Sequence, residues 1–142
     1  MTLKRRTFNP KRRIRTAQEF RKRQRRAPFR LENVLYRGNP EHKRAPGDFG
    51  LTPPASPRPN KTLCDRVEIF SRAEALKLLI SGFERGLVSE QERDGWPQNV
   101  WAVTDKGEPL EAQLEGNGVY HGYPMPEGDP FREKVLEHWA SR

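Results

Sequence analysis

The residues best suited to chemistry in this sequence occupy two neighbouring segments of its C-terminal third. They comprise two carboxylates, an amide, two phenols and an imidazole, and they are Glu111, Gln113, Glu115, Tyr120, His121 and Tyr123. A carboxylate beside an imidazole orients the ring for proton transfer. We therefore expect His121 to lie near Glu111 or Glu115 and to act as an acid or a base.

Cleavage of RNA without a metal needs an imidazole, a carboxylate and a nearby cation. One group removes the proton of the 2′-hydroxyl, another protonates the leaving oxygen, and the cation stabilises the crowded phosphorane. The predicted catalytic residues for this chemistry are His121, Glu111, Glu115, Tyr120, Lys106 and Arg132. The competing interpretation is a half-buried histidine without a catalytic role.

Strand register decides which of these side chains share a face of the sheet. Successive side chains of a strand point to opposite faces, so Tyr120 and His121 lie on opposite sides and only one of them can join Glu111. The spacing of the residues does not reveal the register, and both pairings stay open.

Three short strands are predicted to position these residues, and they span 100–104, 110–115 and 119–123. Glycine and asparagine at the two intervening turns accept positive φ, which favours an antiparallel meander. Apolar residues at helical spacing predict one helix that begins at Arg72 and another that follows Asp129 and Pro130. The sequence therefore predicts an α+β fold, in which a helix and a small antiparallel β-meander are closed by a C-terminal helix.

Two further segments carry weaker structural signals. Apolar residues alternate over residues 29–38, which predicts a strand. Ser89 with Glu92 three positions later matches a helix-capping pattern, and it predicts a short helical turn that ends at Gly95.

The net charge of +8 is distributed unevenly along the 142 residues. Residues 1–30 hold 13 Lys or Arg and one acidic residue, a net charge of +12, whereas residues 31–142 carry a net charge of −4. Five prolines within residues 46–59 remove backbone donors and disfavour regular structure. The sequence therefore predicts a basic arm (1–30), a strand and Pro-rich connector (31–63) and one small α+β domain (64–142).

The basic arm is a candidate for nucleic-acid binding, because each neutralised phosphate releases condensed counterions. Thr16 and Glu19 form a capping-box pattern, and we expect a helix over residues 17–26 that stays frayed by like-charge repulsion until an anion binds. The predicted nucleic-acid-binding residues are Arg5, Arg6, Lys11, Arg12, Arg13, Arg15, Arg21, Lys22, Arg23, Arg25 and Arg26. A solvated tail and a localisation-type basic cluster are the alternatives.

Composition disfavours several classes of protein. Cys64 is the single cysteine, so an internal disulfide and a Cys/His zinc spacing are excluded, and we expect neither a metal nor a cofactor. No apolar run approaches the roughly 18 residues that cross a bilayer, and the first residues lack the apolar centre of a secretory signal. We expect a cytoplasmic protein without a membrane partner.

Four segments carry a resemblance to a known family, and they read APGDFGLTPPASPRPNKTLCD, WPQNVWAVTDKGEPLEAQLE, GVYHGYPMP and DPF. They resemble the C-terminal effector domains of bacterial polymorphic toxins of the Rhs and contact-dependent-inhibition kinds. The resemblance implies a small toxic domain, commonly a nuclease, that a dedicated antitoxin or immunity protein neutralises. A helix followed by a small antiparallel sheet is also similar in outline to barnase-like and toxin–antitoxin ribonucleases, which makes RNA the expected substrate.

The leading interpretation is thus a bacterial toxin-like endoribonuclease that cleaves RNA without a metal. The first alternative is a non-catalytic nucleic-acid-binding protein that uses the basic arm. The third is an ADP-ribosyltransferase toxin. Residues 35–38, LYRG, resemble the first arginine motif of that family, and residues 113–115, QLE, resemble its Gln/Glu-x-Glu motif, whose glutamate steadies the ribosyl cation. The Ser-Thr-Ser motif of that family is missing from the sequence.

Overall fold

The computed structural model describes residues 12–37 and 72–142. The described helices and strands are α1 (Ala17–Arg26), β1 (Leu35–Tyr36), α2 (Arg72–Glu84), β2 (Glu92–Arg93), β3 (Trp96–Pro97), β4 (Asn99–Val103), β5 (Pro109–Gly116), β6 (Val119–Pro124) and α3 (Phe131–Ser141). This confirms the predicted α+β class, the start of the helix at Arg72 and the closing C-terminal helix. The predicted Pro-rich connector, apart from its first residues, lies outside the described ranges.

The predicted antiparallel meander is confirmed as β4, β5 and β6, and β1 extends it. The short strand β1 pairs in parallel with β6, so the sheet has the order β1-β6-β5-β4. The register sets Glu111 opposite both Trp101 and Tyr123, and Gln113 opposite His121. These residues therefore share one face of the sheet.

Helix α2 covers the opposite face of the sheet. Leu79 and Phe83 are buried against it, and the Phe83 ring meets the Tyr120 ring edge-on at 5.8 Å. The helix approaches β4 closely because Gly82 has no side chain, since a Cβ there would fall 2.3 Å from the backbone oxygen of Trp101. The apolar residues buried on this side form the larger of two apolar clusters, which also includes Phe29 from the N-terminal arm.

Helix α3 covers only part of the face that carries Glu111 and His121. Phe131 packs against Trp101 with ring centroids 5.4 Å apart, and Val135 is fully buried in the second apolar cluster. Contacts of α3 concentrate on β4 and β5. Among the described residues, α3 therefore leaves the outer part of this face, along β6 and β1, uncovered, and Leu35 there is 58% exposed.

Helix α1 has the predicted bounds and the predicted capping box, because Thr16 and Glu19 exchange side-chain to backbone hydrogen bonds of 3.1 and 2.8 Å. Whether the helix frays without an anion stays a prediction, but its inward side is engaged by the rest of the chain. Arg23 is only 6% exposed and forms an ion pair of 2.7 Å with Glu92. Phe29, just after the helix, packs on Phe83 at 5.6 Å. Glu92 thus compensates the charge of Arg23, one of the five cations of α1.

Two local predictions are corrected. Residues 92–97 form the β2–β3 hairpin and not a helical turn, because Asp94 and Gly95 adopt φ values of 54° and 84° that suit a two-residue hairpin turn. The predicted strand over residues 29–38 shrinks to the two residues of β1, preceded by a 3₁₀ turn over Leu31–Asn33.

Candidate functional site

The uncovered part of the sheet carries one imidazole, one carboxylate and one guanidinium that contact one another. They belong to His121, Glu115 and Arg37, which we call the open cluster. His121 Nδ1 lies 3.0 Å from Glu115 Oε2, and Arg37 Nη1 lies 3.2 Å from Glu115 Oε1. The two oxygens of one carboxylate thus engage two different partners. The side chains of His121 and Glu115 are 22% and 29% exposed, and that of Arg37 is 66% exposed, so solvent reaches all three.

Strand pairing and a bulge position this cluster. The pairing of β5 and β6 shifts between Leu114 and Gly116, and this irregularity falls at Glu115. The parallel pairing of β1 with β6 places Arg37, whose backbone N–H donates to the Tyr120 carbonyl at 2.7 Å, beside the same strand. The three residues therefore come from neighbouring parts of the sheet: Glu115 lies on β5, His121 on β6, and Arg37 directly after β1.

A second polar cluster surrounds Glu111, which is only 4% exposed. Its Oε2 accepts hydrogen bonds from Arg12 Nε and Trp101 Nε1, each at 3.0 Å, and its Oε1 accepts one from the Tyr123 hydroxyl at 2.6 Å. Three donors compensate this carboxylate for the loss of water.

The Glu111 cluster extends in two directions. Arg12 also donates to Asp129, with its Nη1 at 3.3 Å, and Asp129 accepts the Phe131 backbone N–H at 3.0 Å where α3 begins. On the other side, Gln113 Nε2 donates to the Tyr123 hydroxyl at 3.0 Å. Because Gln113 lies opposite His121, this chain of hydrogen bonds connects the start of α3 with the strand positions next to the open cluster.

Burial and charge keep Tyr123 and Arg12 in their usual protonation states. Burial, reinforced by the charge and hydrogen bond of Glu111, raises the pKa of the Tyr123 hydroxyl, so it remains a proton donor. Burial acts to lower the pKa of Arg12, but the hydrogen bond to Asp129 and the charge of Glu111 outweigh it and the pKa is raised. Neither side chain is suited to act as a base.

Tyr120 and the two predicted cations lie away from His121. Tyr120 is fully buried on the α2 face, where burial raises the pKa of its hydroxyl, so it does not share a surface with His121. Lys106 lines a groove of about 470 Å³ together with residues of α2 and α3. Arg132 Nη1 donates to the Met125 carbonyl at 2.8 Å and lies 3.7 Å from Glu108 Oε1. Both cations lie at the opposite end of β5 from Gly116.

The cation next to His121 is Arg37, which the ribonuclease interpretation missed. The sequence singled out Arg37 only through its similarity to an arginine motif. Its position follows from the parallel pairing of β1 with β6, and no local pattern predicts that pairing.

The predicted nucleic-acid-binding residues divide into three groups. Internal ion pairs engage Arg12, Arg13, Arg15 and Arg23. Exposed positions on α1 hold Arg21, Lys22, Arg25 and Arg26. The remaining three, Arg5, Arg6 and Lys11, lie outside the described residues.

Within residues 12–37 and 72–142, His, Cys, Asp and Glu side chains do not gather in any group of three or more that could hold a metal ion. None of the helices in these ranges is long and apolar enough to cross a membrane. No protein-family model, no curated protein and no solved structure matches this chain.

Proposed function

We propose that this protein is a toxin-like endoribonuclease that cleaves RNA without a metal and is neutralised by an antitoxin or immunity protein. The observation that supports it most is the contact of His121 and Arg37 with the two oxygens of Glu115 on an open face of the sheet. The resemblance to polymorphic toxin effector domains adds the expectation of a neutralising partner.

Each member of the cluster has a role in this reaction. Glu115 holds His121 through Nδ1, which leaves Nε2 for proton exchange with the substrate. Arg37 supplies the positive charge that stabilises the phosphorane.

The proposed cleavage proceeds by internal transfer. His121 removes the 2′-hydroxyl proton as the 2′ oxygen attacks the phosphorus. The bond from phosphorus to the 5′ oxygen then breaks, and this oxygen takes a proton from solvent water, while His121 returns its proton to solvent. The products are a 2′,3′-cyclic phosphate and a 5′-hydroxyl, so no water is consumed and no metal is required for this step.

The direct test is cleavage of a labelled single-stranded RNA in EDTA by wild type, His121→Ala and His138→Ala. His138 is the matched control, because it is a partly buried histidine on α3 whose Nδ1 contacts Arg142 at 2.7 Å, away from the open cluster. We expect His121→Ala to reduce the cleavage rate by at least about 100-fold, while His138→Ala cleaves like wild type.

Two results would overturn this proposal. One is full cleavage by folded His121→Ala, which would remove His121 from the reaction. The other is intact RNA after incubation with folded wild-type protein across a range of RNA sequences. Thermal unfolding of each variant, followed by circular dichroism, verifies that the comparison is between folded proteins.

A second candidate function rests on the 3.2 Å contact between Arg37 and Glu115. These residues belong to the two segments that resemble ADP-ribosyltransferase motifs, and the fold brings them together. The discriminating assay is release of nicotinamide from NAD⁺ by wild type and Glu115→Ala. Nicotinamide release that Glu115→Ala abolishes, with RNA left intact, would favour the transferase.

A further inference from the structure

We propose that the outward face of α1 is a docking surface for the phosphate backbone of single-stranded RNA. The ligand class rests on the proposed function, whereas the surface is argued from the charge and burial of α1. The sequence of the helix, AQEFRKRQRR, places five Lys or Arg in its last six positions. The structure separates these cations into one that stabilises the fold and four that remain exposed.

The inward cation, Arg23, is engaged within the protein. Arg23 Nε and Nη2 contact Glu92 at 2.7 and 3.1 Å, and Nη2 also donates to the Gly95 carbonyl at 3.2 Å. Its guanidinium lies 4.3 Å from the centre of the Phe29 ring. With 6% of its surface exposed, Arg23 is not available to a phosphate.

The other four cations form the docking surface, and they are Arg21, Lys22, Arg25 and Arg26. At about 100° per residue, they fall within an arc of roughly 140° on one side of the helix. None of the four forms an ion pair with any residue of the described ranges. Adjacent like charges on a helix repel one another. A polyanion that binds along this arc relieves that repulsion and releases its own counterions.

The end of α1 lies near the same end of the sheet as the candidate active site. Phe29, which follows the helix, stacks on Trp96 with ring centroids 6.4 Å apart. The Trp96 ring lies against Gly118 in the β5–β6 turn. His121 is three residues beyond Gly118 on β6. An RNA strand held on α1 is therefore close to the turn from which the strand bearing His121 begins.

Deleting the arm does not test this surface, because Arg12, Arg15 and Arg23 are part of the folded structure. The test uses the full chain with His121→Ala, which keeps the RNA intact during the measurement. Into this background we place Lys22→Gln, Arg25→Gln and Arg26→Gln together. The matched control combines Arg72→Gln, Lys77→Gln and Lys134→Gln, three exposed cations on α2 and α3, and removes the same total charge.

Binding of a fluorescein-labelled 20-nucleotide oligouridine is measured by fluorescence anisotropy at several NaCl concentrations. We expect the α1 variant to lose at least about ten-fold in affinity near 0.1 M salt, and its slope of log K against log salt to flatten by roughly two. The control variant keeps a slope close to that of its parent, because its cations lie away from the RNA.

Equal losses in both variants, or an unchanged slope in the α1 variant, would overturn the docking surface. If binding depends on α1 but wild type leaves RNA intact, the docking surface stands and the ribonuclease proposal fails. If wild type cleaves RNA and the α1 variant binds it like the control, the enzyme proposal stands and this inference fails.

Discussion

Glu111 and Glu115 are on the same strand and the same face, yet they have different environments. The Glu111 side chain is 5% exposed, and three hydrogen-bond donors surround its carboxylate. The Glu115 side chain is 29% exposed, and it contacts His121 and Arg37. Two carboxylates four positions apart on one strand thus differ, since one stabilises the fold and the other is accessible to solvent.

Helix α3 and the N-terminal arm cover the sheet unevenly, and this causes the difference between the two carboxylates. The start of α3 and Arg12 of the arm close over β4 and β5, and Arg12 lies 4.8 Å from the centre of the Phe131 ring. Neither extends over the end of β5 at Gly116. Burial and three protein donors keep the Glu111 carboxylate from a ligand, whereas Glu115 contacts an imidazole that solvent can reach. The carboxylate with fewer partners is therefore the better candidate for chemistry.

Removing the buried carboxylate has the largest expected effect on stability. We expect Glu111→Ala to lower the free energy of unfolding by about 2–4 kcal/mol, because it leaves the half-buried Arg12 without one of its two acidic partners and removes the acceptor for two further donors. Urea denaturation followed by tryptophan fluorescence measures this loss. Glu115→Ala is the control on the same strand, and we expect it to change stability by less than about 1 kcal/mol. Equal stability of the two variants would contradict the division between the two carboxylates.

Neutralising the accessible carboxylate has an intermediate effect, and it acts on catalysis. We expect Glu115→Gln to reduce kcat for RNA cleavage by roughly 10- to 100-fold, because the amide orients the His121 ring less strongly than a carboxylate does. KM and the unfolding midpoint stay close to those of wild type. Glu115→Asp restores part of the rate, since it keeps the charge. A rise in KM with kcat unchanged would instead assign Glu115 to substrate binding.

The smallest expected effect is the coupling energy between Arg37 and Glu115. In a double-mutant cycle built on alanine substitutions, we expect this exposed pair to contribute less than about 1 kcal/mol to folding. The corresponding cycle for Arg12 and Glu111 should give about 1.5–3 kcal/mol, because this pair is hydrogen-bonded and shielded from water. A coupling of Arg37 with Glu115 as large as that of the buried pair would indicate a structural role for the open cluster.

Local signals predicted much of the secondary structure. The capping box at Thr16 and Glu19, the helix from Arg72 and the turn at Asn117 and Gly118 each involve residues within a few positions of one another. The stability of each cap or turn depends on hydrogen bonds and backbone angles of neighbouring residues. The Asp94-Gly95 turn is a local signal of the same kind, and in the structure it prevails over the capping pattern at Ser89.

The candidate site was only partly predictable. The spacing of Glu115 and His121 suggested an acid–base pair, which the register of β5 and β6 brings within 3.0 Å. The partners of Glu111 were not predictable, since Arg12 lies 99 residues away in the chain. Arg37 joined the cluster through a parallel pairing of only two residues on β1. Such contacts depend on how distant segments pack together, and no local pattern encodes them.

By itself, the sequence determined the α+β class, the meander and the position of the basic helix, because hydrophobic periodicity, caps and turns act over short distances. Only the tertiary structure decided that Glu111 is buried and Glu115 is accessible, and that Arg23 faces the interior while Arg25 faces solvent. The physical reason is that a charged side chain is buried only where the fold supplies its counter-charge. Here Glu92, Glu111 and Asp129 supply it from segments far along the chain.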